Sequence, residues 1–170
     1  MPRTPRQELE RALALYNRAR DEASSSGDWS VWADRFTPDA HYVEHAYGEL
    51  RGREAIRAWI TQVMAPYPKM TFPQDWLAFD EERGAVVFQC QNEFPPPFDA
   101  GGTPFRFPTW TRLVYGRDGL WQSEEDVYNP ARDAPRVFKA WVEAGGKPES
   151  RELVKMTHTA AAPPKRESAS

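Results

Sequence analysis

Apolar residues in the first part of the chain recur at helical spacing. Leu9, Ala12, Leu13, Tyr16, Ala19 and Ala23 fall three and four residues apart, which puts them on one face of a helix. Thr4-Pro5-Arg6-Gln7 reads as a capping box with proline at the first helical position, and Ser24-Ser25-Ser26-Gly27 ends the helix. Asp28 then caps a second, short helix carrying Trp29, Trp32, Ala33 and Phe36 as an apolar stripe, stopped by Thr37-Pro38-Asp39. Residues 40–45 are rich in strand formers, Gly48-Glu49-Leu50-Arg51-Gly52 reads as a loop, and residues 53–64 form a third helix with Ile56, Trp59, Ile60 and Val63 on one side.

From there the pattern changes to alternation. Strands are predicted over residues 70–79, with Pro73 at an edge, and over 85–94, 105–115 and 120–128, the last two joined by the hairpin turn Gly116-Arg117-Asp118-Gly119. Asn129-Pro130 opens a last helix with Val137, Phe138, Trp141 and Ala144 on its apolar side, closed by Gly145-Gly146. Helices grouped first and strands grouped later indicate an α+β fold: a curved antiparallel sheet wrapped around the helices as a cone, with a pocket between them. Residues 1–146 read as one domain, and residues 147–170 as a polar, loosely ordered tail.

Composition narrows the function. Seven Trp, six Tyr and nine Phe in 170 residues exclude a fully disordered chain. Twenty-two Lys and Arg against 25 Asp and Glu give a net charge of −3, which speaks against nucleic acid as the main partner. Cys90 is the only cysteine, so neither an internal disulfide nor a multi-cysteine zinc site can form. The N-terminal residues have no apolar signal core and no stretch is long enough to span a membrane, so the expectation is a cytoplasmic protein with no membrane partner. No phosphate loop, dinucleotide fingerprint or nucleophile elbow is present, and no cofactor is expected.

Several short motifs in a fixed order resemble the nuclear transport factor 2-like superfamily, whose members include ketosteroid isomerases, scytalone dehydratase and SnoaL-like polyketide cyclases. They are Gly27-Asp28-Trp29, Phe36-Thr37-Pro38-Asp39-Ala40, Tyr42-Val43-Glu44-His45, Gly48, Gly52-Arg53-Glu54-Ala55-Ile56 and Glu124-Glu125-Asp126-Val127-Tyr128-Asn129-Pro130. The resemblance spans roughly residues 7 to 146. It implies the cone fold. The same fold hosts enzymes, binding proteins and non-catalytic dimer modules.

The resemblance also implies candidate chemistry. Counting back from Gly48, His45 falls where the isomerases carry their general base, and histidine titrates near neutral pH. A hydrogen-bonded histidine at a strand end, or a dimer contact, is the alternative. Tyr16 matches the first-helix tyrosine that donates to a developing oxyanion, or else is core. Thr111 falls near the isomerases' second donor, a protonated aspartate, whose acidity a threonine cannot reproduce. Alternation along the last strand groups Trp121, Ser123, Glu125 and Val127 on what reads as the buried side. Glu125 there would pair with His45 or an arginine in the pocket, or form a structural ion pair with Arg112. His41 and His45 share a face but stand roughly 13 Å apart along an extended strand, so no metal site is expected.

Taken together, the expectation is a cofactor-free acid–base enzyme of isomerase, cyclase, dehydratase or lyase type. It would take a small apolar oxygenated substrate in a pocket lined by Trp29, Trp32, Phe36, Trp59 and Phe107, with His45, Tyr16, Glu125 and Thr111 as catalytic groups. The other reading is a non-catalytic ligand-binding or dimerisation module. Three or four helices cannot cover both faces of a sheet carrying Trp110, Arg112, Gln91 and Trp121, so a homodimer through the sheet is expected.

Overall fold

A computed structural model describes residues 4–156. Helix α1 (Arg6–Ser26) buries Leu9, Ala12, Leu13, Tyr16, Ala19 and Ala23, the stripe read from the sequence. Its start differs from expectation: Pro5 is the N-cap, no side chain bonds it, and the Thr4 N–H instead donates to the Glu81 carbonyl. Gly27 ends α1 in the left-handed region at φ 85°, with its N–H on the Ala23 carbonyl. Asp28 caps as expected, accepting from the Ser30 N–H at 3.0 Å and the Ser30 hydroxyl at 2.6 Å. The element it caps is a 3₁₀ helix over Trp29–Arg35 rather than an α-helix reaching Phe36.

Phe36 already opens strand β1 (Phe36–Glu44), four residues before the expected start. Pro38 disfavours helical backbone at Thr37, so the chain is extended through the segment that reads as a stop. The loop after it is a hairpin return: β2 (Gly48–Arg51) pairs antiparallel with β1, and Gly52 (φ 89°) turns the chain into α2 (Arg53–Met64). Strand β3 (Gln74–Asp80) begins only after Pro73. Strands β4 (Ala85–Glu93), β5 (Arg106–Arg117) and β6 (Leu120–Val127) follow, then α3 (Asp133–Glu143). Asn129 does cap a turn, accepting from the N–H groups of Ala131 and Arg132, but the helix proper starts at Asp133.

The six strands form one curved sheet in the order β2-β1-β6-β5-β4-β3. All junctions are antiparallel except β1 with β6, which is parallel because the long connection between them returns the chain in the same direction. α1, the 3₁₀ helix and α2 fill the concave side. Trp29, Trp32, Phe36, Ile56 and Ile60 are buried there, with Trp59 and Val63 packed against them.

One irregularity decides which side chains reach the interior. Tyr115 pairs with Trp121, but Val114 pairs with Ser123, so Gln122 is an extra residue on β6; the next shift makes Gly116 extra on β5. Trp121, Glu124 and Asp126 therefore all point inward, and Glu125 points outward. The simple alternation that grouped Trp121 with Glu125 fails at this bulge: Trp121 is fully buried, on the side expected, and Glu125 is not. A Cβ on Gly116 would lie 2.8 Å from Thr37 Cγ2 and 3.2 Å from Gln122 Cβ. Gly116→Val should cost roughly 1–3 kcal/mol, the range for overpacking, read as a lower urea midpoint at unchanged slope.

Candidate functional site

Between the sheet and the helices lies a cavity of about 440 Å³. Its apolar walls come from the 3₁₀ helix and α2 (Trp29, Trp32, Trp59, Ile60) and from Phe72, Phe94, Phe107 and Phe138. Four of the five residues expected to contact a ligand line it: Trp29, Trp32, Trp59 and Phe107. Phe36 does not. It sits behind the wall at 0% exposure, edge-on to Trp32 and Tyr16.

The polar groups converge from four elements. On β6, Glu124 and Asp126 share the inward face two residues apart, roughly 7 Å along a strand. The Tyr16 hydroxyl, from α1, donates to Glu124 Oε1 at 2.9 Å. Asp126 accepts on both oxygens: from Thr111 of β5 on Oδ1 and from Tyr42 of β1 on Oδ2, each at 2.5 Å. Glu124 Oε2 has no hydrogen-bond partner among the described residues. Arg20, one turn after Tyr16 on the same face of α1, also lines the cavity. Its guanidinium donates to Asn17 and the Phe72 carbonyl and lies over the rings of Phe72, Tyr16 and Phe88.

Burial and mutual repulsion split this carboxyl pair. Burial first, then the neighbouring Asp126 charge, holds Glu124 well above the usual carboxylate range. Burial also raises Asp126, but the bonds from Thr111 and Tyr42 pull it back toward the ionised form. Glu124 therefore holds its proton more tightly than Asp126, so where the pair carries one proton it sits on Glu124. Tyr16 and Tyr42 are pushed well above the ordinary phenol range, chiefly by burial, so they act as hydrogen-bond donors. Burial also pushes the Cys90 thiol up to about 11, which suits an inert core position. A third carboxyl, Glu44, uses Oε2 to accept from the N–H groups of Ala46 and Tyr47, both at 2.8 Å, and so ties the turn into β2.

Of the four expected catalytic residues, Tyr16 and Thr111 lie at the cavity. His45 and Glu125 do not. They meet each other, His45 Nε2 to Glu125 Oε1 at 3.0 Å, but on the outer side of the sheet with side chains 51% and 39% exposed. The bulge at Gln122 puts Glu125 there, and His45 follows Glu44, whose side chain takes the inward position. His41 likewise faces outward, bonded to Glu49. His45→Ala should thus change stability by no more than about 1 kcal/mol, the ceiling for an exposed ion pair, in thermal unfolding at neutral pH. Glu124, Asp126, Tyr42 and Arg20 also line the cavity and were not among the expected catalytic groups.

The sequence profile described as the SnoaL-like domain matches residues 17–124. No curated protein matches the chain. Among solved structures, a protein assigned as a SnoaL-like polyketide cyclase from Jannaschia sp. CCS1 superposes with a TM-score of 0.60 at 19% identity, over 83% of this chain and 96% of that one. An epoxide hydrolase of M. tuberculosis, of the LEH-like type, gives 0.60 at 14% identity over 81% and 94%. The epoxide hydrolase/cyclase-like enzyme SalBIII, described in pyran ring formation in the polyether salinomycin, gives 0.56 at 19% over 73% and 92%. At these identities the likeness establishes the fold.

Proposed function

The chain belongs to the SnoaL-like domain family, and from that premise we propose that it is an acid–base enzyme that isomerises, cyclises or opens a small apolar oxygenated substrate in the cone cavity. The observation that carries this reading is the split carboxyl pair on the cavity wall. Asp126, ionised and held by Thr111 and Tyr42 on one lone pair of each oxygen, keeps its other lone pairs for a substrate proton. Glu124, protonated, has an oxygen without a partner and can give its proton to an oxygen on which negative charge develops. One proton leaves the substrate for Asp126 and one enters it from Glu124, so the substrate's charge is unchanged over the step. Tyr16 orients Glu124 by donating to its other oxygen. Thr111 holds the base rather than the substrate. His45 and Glu125, outside the cavity, take no part.

Nearby structures described as a cyclase and as epoxide hydrolases support this class of chemistry. The test is turnover of a panel of epoxides, phenolic polyketide-like compounds and steroid-like enones by the parent and by Asp126→Asn. Turnover that needs Asp126 supports the enzyme. Tight binding of panel members with no turnover, and no effect of Asp126→Asn, would instead favour a binding module.

We further infer a two-fold dimer through the outer sheet face. Trp110 (53% exposed) and Trp76 (41% exposed) stand edge to face there with ring centres 5.4 Å apart. A large apolar pair of this kind marks an interaction surface. Light scattering at micromolar concentration should give twice the chain mass, and Trp110→Glu should return the monomer.

A further inference from the structure

The chain does not leave the cavity at the end of α3. Gly145, at φ 104°, turns it, and Gly146 passes against the Trp141 indole so closely that a Cβ there would lie 2.2 Å from the ring. The Trp141 indole N–H is itself fixed on the Pro95 carbonyl at 2.8 Å. The chain then runs back without regular secondary structure. Glu149 N–H donates to the Pro66 carbonyl at 2.9 Å, just past the end of α2. Beyond that point Leu153, Val154 and Met156 join the lining of the cavity beside Phe138. Val154 and Met156 are half-buried while Lys155 between them is exposed, so apolar side chains face in and the charge faces out.

We propose that residues 147–156 form a movable strap that completes the cavity wall, with Val154 and Met156 setting the rate at which ligand enters and leaves. The proposal rests on the reading of the cavity as the ligand site. Three features support it. The strap's apolar residues touch the cavity and are not part of the buried core. Among the described residues, Glu149 N–H to Pro66 is its backbone bond to the body, whereas Met70 and Phe94, which also line the cavity outside the regular elements, are held by backbone bonds to Tyr67 and Phe105. A segment with few buried contacts and few backbone bonds opens at a small fraction of the global unfolding free energy. Leu153 remains 58% exposed although it lines the cavity, which places it at the rim where a ligand would pass. A wall of this kind excludes water while closed and limits exchange while it opens.

The test uses stopped-flow binding of N-phenyl-1-naphthylamine, a neutral apolar fluorophore, to full-length protein. Two variants loosen the strap by different means. Val154→Ser with Met156→Ser removes its apolar contacts, and Glu149→Pro removes its N–H donor. Both should speed association and dissociation by roughly tenfold or more, while the dissociation constant weakens less than either rate changes, as expected for a gate. Lys155→Ser, on the outward side, should leave both rates unchanged. Thermal midpoints near the parent's would show that the body remains folded. Unchanged rates in both loosened variants, with binding intact, overturn the strap and leave the cavity reading standing. An effect of Lys155→Ser equal to theirs also overturns it. A parent protein that does not bind the probe at all overturns the cavity reading and the strap together.

Discussion

Asp126→Asn should lower turnover by roughly 10²–10⁴-fold, the usual contribution of a positioned general base, with little change in substrate affinity. The amide keeps the shape of the carboxyl and still accepts from one hydroxyl, but its nitrogen cannot accept from the other, and it takes no proton from the substrate. Glu124→Gln should cause a loss of similar order by removing the acid. The two variants differ in their pH profiles. In the parent, the rate should rise as Asp126 loses its proton and fall as Glu124 loses its own, both limbs lying above those of free carboxyls because burial raises both groups. Glu124→Gln should abolish the falling limb and keep the rising one. Steady-state rates across pH for both variants check this, and a falling limb that survives in Glu124→Gln would remove that residue from the acid's role.

The same group links pH to stability. Glu124 is held above its unfolded value, so the folded protein binds the extra proton between the two. Its stabilising contribution is complete below the unfolded value and is lost as pH rises through the folded one. Glu124→Gln carries no such dependence. Urea unfolding at a series of pH values should therefore show the variant gaining on the parent as pH rises.

Most of the fold was legible because its signals are local and redundant. The α1 stripe and the Asp28 cap each follow from spacing alone, and each lies where spacing puts it. The site was half legible for the same reason: Tyr16 sits on a helix of unbroken period and Thr111 on the regular stretch of β5 before its irregularity at Gly116. Glu124, Asp126 and Glu125 depend on a parity counted through Gln122, and one extra residue reverses it. No residue type marks that bulge on β6; the mark is across the ladder, in Gly116, the position where a side chain would meet Gln122 and Thr37. Tyr42 and Glu44 lie on the face of β1 opposite His45, the inward one, as alternation along the strand places them. The strap was hidden by composition. Its charged residues resemble those of a disordered tail, and only the fold brings its apolar ones to the cavity.

Trp32→Ala should destabilise the protein by roughly 3–5 kcal/mol, about a fifth or more of the total stability of an ordinary domain. Trp32 is 3% exposed and its ring meets those of Phe36 at 4.8 Å, Tyr16 at 5.6 Å and Tyr42 at 6.2 Å, all edge to face. Its removal leaves a gap that the short 3₁₀ helix cannot close, because Trp29 on the same element is fixed by its indole N–H on the Pro68 carbonyl at 2.9 Å. The loss should reach the site as well as the core. Tyr16 and Tyr42, the two rings that Trp32 braces, hold Glu124 and Asp126 through their hydroxyls. Trp32→Phe keeps a ring in contact and should recover most of the stability. Urea midpoints of the two variants, compared with turnover of the folded fraction, separate the effects. If Trp32→Ala retained full turnover per folded molecule, the tyrosines would be held by the acids alone, and Trp32 would be a core residue with no part in positioning the carboxyl pair.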